Sequence, residues 1–174
     1  AHHQYLYADL AQPEKLLIEA QPTGALKTYW AYAGSAEHSA PVEDVTAYSE
    51  LMAQSQRFIA DQVLACHDFS KYKRVLDLGG GRGLFIRALA SRYPHLRFEL
   101  FDLPNVIEEA KDYLTKEGIA DRVTFTPGNL FSDELPRGAD LVTLVRVLHD
   151  HDDEPVQSLL PRLSESMDSG AQIM

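Results

Sequence analysis

Cysteine is almost missing from this chain of 174 residues. Cys66 stands alone, so no internal disulfide can form, and the cytosol is the expected compartment. It follows Val63, Leu64 and Ala65 in an apolar helical context, where a small buried filler is expected rather than a nucleophile. Long apolar runs are missing too. The run Leu141 to Val145 falls far short of the roughly 20 residues that span a bilayer. No apolar stretch follows Ala1-His2-His3-Gln4, so no secretion signal is visible. Basic residues are scarce: 16 Lys and Arg stand against 26 Asp and Glu, for a formal net charge of −10. Acidity of this size repels phosphate backbones and anionic headgroups, which argues against nucleic acid or an anionic membrane as the main partner; its competing reading is simple solubility. There are no internal repeats and no low-complexity tracts. The chain reads as one domain plus a little more, with an ordinary hydrophobic share of 45%.

What the chain has is alternation. Residues 45–66 form the clearest helix: Leu51, Met52, Phe58, Ile59, Val63 and Leu64 recur at helical spacing, with Glu50, Gln54, Gln56, Arg57 and Asp61 on other faces. A strand over 73–78 and a helix over 84–93, ended by Pro94, come next. A strand over 97–102 precedes a helix from Pro104 to about residue 117, stopped by Gly118. Strands over 122–126 and 139–147 and a last helix over 154–167 complete the series. Strands and helices in this order make right-handed βαβ units, hence an α/β fold with a parallel sheet and helices on both faces. Residues 1–48 are weakly periodic. Leu6, Leu10, Leu16, Leu17 and Ile18 fit one or two short helices, with Pro13 near a start, and Tyr29-Trp30-Ala31-Tyr32 fits core or interface packing. The last residues, Ala171 to Met174, read as the opening of a strand. An incomplete sheet, cut from a longer protein, is therefore expected.

The most informative segment is Arg74-Val75-Leu76-Asp77-Leu78-Gly79-Gly80-Gly81-Arg82-Gly83. A buried strand stops at consecutive glycines and a helical pattern begins at Leu84. Glycines there permit a sharp turn and let a ligand approach bare backbone. Asp77 adds an acid at the strand tip. Together they point to a nucleotide-like ligand at the carboxyl edge of the sheet. A P-loop would need Gly-Lys-Ser/Thr, which is absent. A dinucleotide fingerprint started at Gly79 would need a glycine where Leu84 stands. The spacing is instead D-x-G-x-G-x-G through Asp77, Gly79, Gly81 and Gly83.

Asp102 closes the second strand about 20 residues beyond the glycines, where an acid can accept both hydroxyls of a ribose. Its competing reading is a helix cap ahead of Pro104. The third strand ends in Gly128-Asn129-Leu130-Phe131, at the edge beside the second strand. Asn129 there can pair with an exocyclic amine and Leu130 or Phe131 can pack on a base; the competing reading is a plain Pro-Gly-Asn turn. The fourth strand exits into Arg146-Val147-Leu148-His149-Asp150-His151-Asp152-Asp153-Glu154. Three readings of that run compete. His149 is a general base oriented by a nearby carboxylate, or the histidines and acids bind a divalent metal, or the acids cap the following helix. Neighbouring ligands on an extended chain face opposite ways, which disfavours the metal.

The ordered motifs LDLGGGRG, FDLP, GNLF and LVRVLHDHDDE resemble the metal-independent, S-adenosylmethionine-dependent O-methyltransferases, such as caffeic acid and acetylserotonin O-methyltransferases, over about residues 45–174. That resemblance implies a Rossmann-like methyltransferase domain at 45–174, C-terminally incomplete, after a helical linker, with 1–44 as the remnant of an N-terminal dimerisation domain. It implies S-adenosylmethionine held by Asp77, Gly79 and Gly81, by Asp102 and Leu103 of FDLP, by Asn129 and Leu130, and by Arg146, with His149 as catalytic base and Met52 lining the site. The family usually has an acid at Asn129 and tryptophan at His151. The stretch LVRVLHDHDD and the LYADL start are similar to bacterial carotenoid O-methyltransferases of the demethylspheroidene or hydroxyneurosporene type. A small hydrophobic, hydroxylated acceptor is therefore implied, with transient membrane contact and a homodimer in the full-length protein. In relatives the acids that orient the histidine lie in the part beyond Met174, so cofactor-site geometry without competent catalysis is expected of this chain alone. The rival activities are a nicotinamide-dependent oxidoreductase and a non-catalytic relative that binds the cofactor.

Overall fold

The computed structural model describes Tyr7, Leu10, Ala11, Pro13, Glu14 and residues 56–174. The chain divides into two compact units, Ala1–Met52 and Ala53–Met174. In the first, Tyr7, Leu10, Pro13 and Glu14 are helical, and the Ala11 N–H donates to the Tyr7 carbonyl at 3.0 Å. The expectations on Tyr29 to Tyr32, on Met52 and on the first half of the helix over 45–66 lie outside the described residues.

The second unit runs α1 (56–66), β1 (Arg74–Leu78), α2 (Leu84–Arg92), β2 (Arg97–Asp102), α3 (Pro104–Lys116), β3 (Val123–Pro127), β4 (Leu141–Thr143), α4 (Asp153–Ser166) and β5 (Gln172–Ile173). The sheet order is β3-β2-β1-β4-β5, and every pairing is parallel. Alternation along each strand feeds two cores. Val75, Phe98, Leu100 and Leu141 pack with α1, α2 and α3, while Leu76, Leu78, Phe101 and Val142 pack with Leu159 and Leu163 of α4. Helices thus cover both faces, as the sequence pattern requires.

Local chemistry sets the element ends. Pro104 takes the first helical position of α3, where its missing N–H costs nothing. Arg122 donates to the carbonyls of Ala90 (3.1 Å), Tyr93 (2.8 Å) and Leu96 (2.9 Å), binding the end of α2 to the start of β2. Asp140 accepts the Lys73 and Arg74 N–H groups at 2.7 and 2.9 Å, which pins the β1–β4 register.

Three expectations are corrected. The strand over 139–147 ends at Thr143. Arg146 adopts φ 62°, in the left-handed region that few non-glycine residues enter, and this turns the chain out of the sheet. Val147 is thereby brought back against Gly79, where a Cβ would stand 2.8 Å from its Cγ2. Cys66 is exposed, not a buried filler. Phe58, expected on the apolar stripe of α1, is 68% exposed. At 100° per residue both lie opposite Ala60 and Leu64, the pair that α1 buries.

Candidate active site

Parallel pairing brings the carboxyl ends of β1 to β4 to one edge, and the residues singled out from the sequence gather there. β1 ends in Asp77, which is 1% exposed. Its Oδ1 accepts a hydrogen bond from Thr143 Oγ1 of β4 at 2.6 Å, and its Oδ2 has no partner among the described residues. That oxygen lies against Gly80: a Cβ on Gly80 would sit 2.6 Å from it, so a larger residue would displace the acid. Burial pushes the Asp77 carboxyl up to about 7; the Thr143 hydrogen bond opposes this and the charge of Asp102 adds to it. The folded chain therefore holds a proton here that the unfolded chain, near 3.8, does not. Stability from this group is full below the unfolded value and is lost as pH rises through about 7. The unfolding temperature of the unliganded protein is expected to fall between about pH 5 and about pH 8, and Asp77→Asn to remove part of that fall in a calorimetric scan.

The turn after β1 is tied to β2. The Gly79 N–H donates to the Phe101 carbonyl at 2.8 Å and the Gly81 N–H to Asp102 Oδ2 at 2.8 Å. Asp102 Oδ1 accepts the Leu103 N–H at 2.7 Å. The α3 cap is Leu103, with no side-chain capping bond, so Asp102 faces the glycine turn instead of capping the helix. Burial raises its pKa against those two backbone hydrogen bonds. Outside Gly81 no described atom lies within 4 Å of where a Cβ would stand, so the main chain there faces open space.

Beyond β3, Gly128 passes so close to the Phe101 ring that a Cβ would stand 2.5 Å from its Cζ. The Gly128 N–H donates to the Asp102 carbonyl at 2.9 Å. Asn129 closes an Asx turn, its Oδ1 accepting the Phe131 N–H at 2.9 Å, while its own N–H donates to Asp133 Oδ2 at 2.8 Å. With a Ser132 hydroxyl on its other oxygen, Asp133 is held below the usual carboxylate range, the Asn129 N–H being the larger cause. Arg162 of α4 donates to the carbonyls of Leu130 and Asp133 and fastens this loop to the helix. The Leu130 side chain is buried in the α4-side core, whereas Phe131 is half-buried and meets the His151 ring edge-on at 4.5 Å.

After β4, a short 3-10 turn over Leu148–Asp150 carries His149. Its side chain is 58% exposed and its Nε2 lies 3.2 Å from Asp150 Oδ1. The carboxylate that neighbours the ring is thus that of the next residue. Asp152 caps α4 through its backbone, with Asp153 and Glu154 in the first turn. Among the described residues, no group of three or more His, Cys, Asp or Glu side chains is arranged to hold a metal.

Direct contacts thus join Gly81, Asp102 and Leu103, Gly79 is tied to the same strand through Phe101, and Asn129 and Leu130 reach them through Gly128; Asp77 lies beneath Gly80, and His149 and Arg146 follow β4 at the same edge. Sequence reasoning missed Thr143, Asp133 and Arg162. Thr143 had a signal, a hydroxyl inside an otherwise apolar strand; Arg162 had none.

The family profile described as an O-methyltransferase domain matches residues 22–174. The demethylspheroidene O-methyltransferase of Cereibacter sphaeroides is 41% identical over 174 residues, which is 99% of this chain and 45% of that protein. The demethylspheroidene O-methyltransferase of Rhodobacter capsulatus is 39% identical over 176 residues, 99% of this chain and 42% of that protein. The crystal structure of human N-acetylserotonin methyltransferase in complex with S-adenosylmethionine superposes with a TM-score of 0.78 at 25% identity, covering 98% of this chain and 49% of that one. The chain spans about half the length of these relatives, or less.

Proposed function

Because this chain belongs to the O-methyltransferase domain family, we propose that it moves a methyl group from S-adenosylmethionine to a hydroxyl of a small hydrophobic acceptor, with His149 as the base. The observation that carries this reading is the bond between the Gly81 N–H and Asp102 at the carboxyl edge of the sheet. It joins half-buried main chain after β1 to an acid at the end of β2, on the carboxyl edge where such sheets bind nucleosides.

The residues fit the cofactor. Space opens outside Gly81, and Asp77 holds a buried oxygen that has no partner among the described residues. S-adenosylmethionine, when bound, supplies an electrophilic methyl on a cationic sulfur. Gly79 and Gly81 give it bare main chain, Asp102 accepts from ribose hydroxyls, and Asn129 with Phe131 borders the base. Asp77 and Leu103 support the turn from below and beside it, Leu130 anchors the base loop in the core, and Arg146 sets the direction of the chain toward His149. With Nε2–H held by Asp150, Nδ1 of His149 carries the lone pair that takes the proton of the acceptor hydroxyl.

The acceptor class, a hydroxylated acyclic carotenoid, rests on the likeness to two demethylspheroidene O-methyltransferases. A cytoplasmic homodimer with transient membrane contact during acceptor exchange belongs to the same proposal. No helix among the described residues is long and apolar enough to cross a membrane. Calorimetry on the intact protein tests the cofactor: S-adenosylhomocysteine is expected to bind and NADH to give no heat. Binding of NADH alone would replace this reading with an oxidoreductase.

A further inference from the structure

Among the described residues Asp77 is the one carboxylate that is fully buried, and the chemistry proposed above does not use its charge. β4 presents the Thr143 hydroxyl, β2 presents Leu100 and Asp102, and the glycine turn lays Gly80 across it. On that face of the sheet α2 and α3 contribute Phe85, Ile86, Ile107, Ala110 and Leu114, all apolar. Arg82, in the same turn, has its guanidinium over the Tyr113 ring at 5.7 Å, and its buried Nε has no partner among the described residues. Asp102 is the charged group whose field acts on Asp77. Two carboxyls thus hold one turn from below and from the side, and among the described residues no cation acts on Asp77. Like charges so placed cannot both ionise cheaply in a buried setting. A cationic ligand in the cleft would change that balance.

We infer that Asp77, bridged to β4 by Thr143 and pressed beneath Gly80, is a proton-linked positioning residue of the glycine turn: its carboxyl releases its proton to solvent when S-adenosylmethionine binds and regains one when the site empties. The O–H bond of the carboxyl is the one that breaks, and the positive charge of the cofactor replaces the charge that leaves. Thr143 keeps the acid beneath the turn in both states. The inference rests on the cofactor reading above and adds a proton to it. Burial of Asp77, which raises its carboxyl to about 7, puts this exchange in the neutral range.

Titrating S-adenosylmethionine into the intact protein by calorimetry from about pH 6 to about pH 8, in two buffers of different ionisation heat, tests it. Affinity is expected to rise about tenfold over that interval and level off above it, with close to one proton released per site at the acid end. Asp77→Asn keeps the volume but has no proton to give, and is expected to bind with a flat profile. Thr143→Val removes a hydrogen bond that favours the ionised acid, so the midpoint is expected to move to higher pH, and Thr143→Ser to restore it. A pH-independent affinity, or an unchanged slope in Asp77→Asn, overturns the inference and leaves the cofactor reading standing. If Asp77→Asn does not fold, an unmoved midpoint in Thr143→Val overturns it equally. No S-adenosylmethionine binding at any pH removes the cofactor reading and this inference together.

Discussion

His149→Gln is expected to lower turnover of a hydroxylated acceptor by about 10²–10⁴-fold while S-adenosylhomocysteine still binds with unchanged affinity. Glutamine keeps much of the side-chain length and hydrogen-bonding capacity but takes no proton. The proposed role draws on its exposure at the sheet edge and on Asp150, its chain neighbour, whose Oδ1 lies 3.2 Å from Nε2. Asp150→Asn tests that orientation separately. It leaves the imidazole in place but weakens its anchor, so a fall of about tenfold is expected, in kcat more than in KM. Rates measured on the intact protein decide the matter: full turnover in His149→Gln would place the base elsewhere. Loss of cofactor binding in the same variant would mean that His149 holds the turn rather than performs chemistry.

The second large effect is expected at Asp102. Asp102→Ala leaves the N–H groups of Gly81 and Leu103 without acceptors, and each unpaired, partly buried donor costs about 1–3 kcal/mol. It also removes the group proposed to receive ribose hydroxyls. S-adenosylhomocysteine affinity is therefore expected to fall by about 10²-fold or more, with a lower urea midpoint. Asp102→Asn keeps an acceptor for only one of the two donors and loses the charge, so an intermediate loss is expected. Unchanged affinity in Asp102→Ala would move the ribose to another acid and with it the whole placement of the cofactor.

β1, α2, β2 and α3 were legible in the sequence because two signals coincide there. Apolar alternation marks the interior of each element, and glycine or proline marks where it stops. The exit of β4 lacked the second signal. Leu144 and Val147 are as apolar as the strand before them and are buried as well, but they are buried outside the sheet, after a left-handed Arg146 that no residue type announces. On α1 a ranking by hydrophobicity favoured Phe58 over Ala60, yet close packing selected the small residue for the inner face. That Gly79, Gly81 and Asp102 gather at one edge was readable because glycines end β1 and an acid ends β2. The clasp formed by Arg162 on the Asn129 loop was not, since it joins segments 32 residues apart that only the finished fold brings together.

The strand order β3-β2-β1-β4-β5 has a consequence for synthesis. β1, β2 and β3 follow one another directly along the chain and can pair as they leave the ribosome. β1 meets β4 only after Val75 finds Leu141, a far longer closure that waits for the later part of the chain. The nascent protein therefore acquires its glycine turn and Asp102 first, and the strand that delivers His149 docks afterwards.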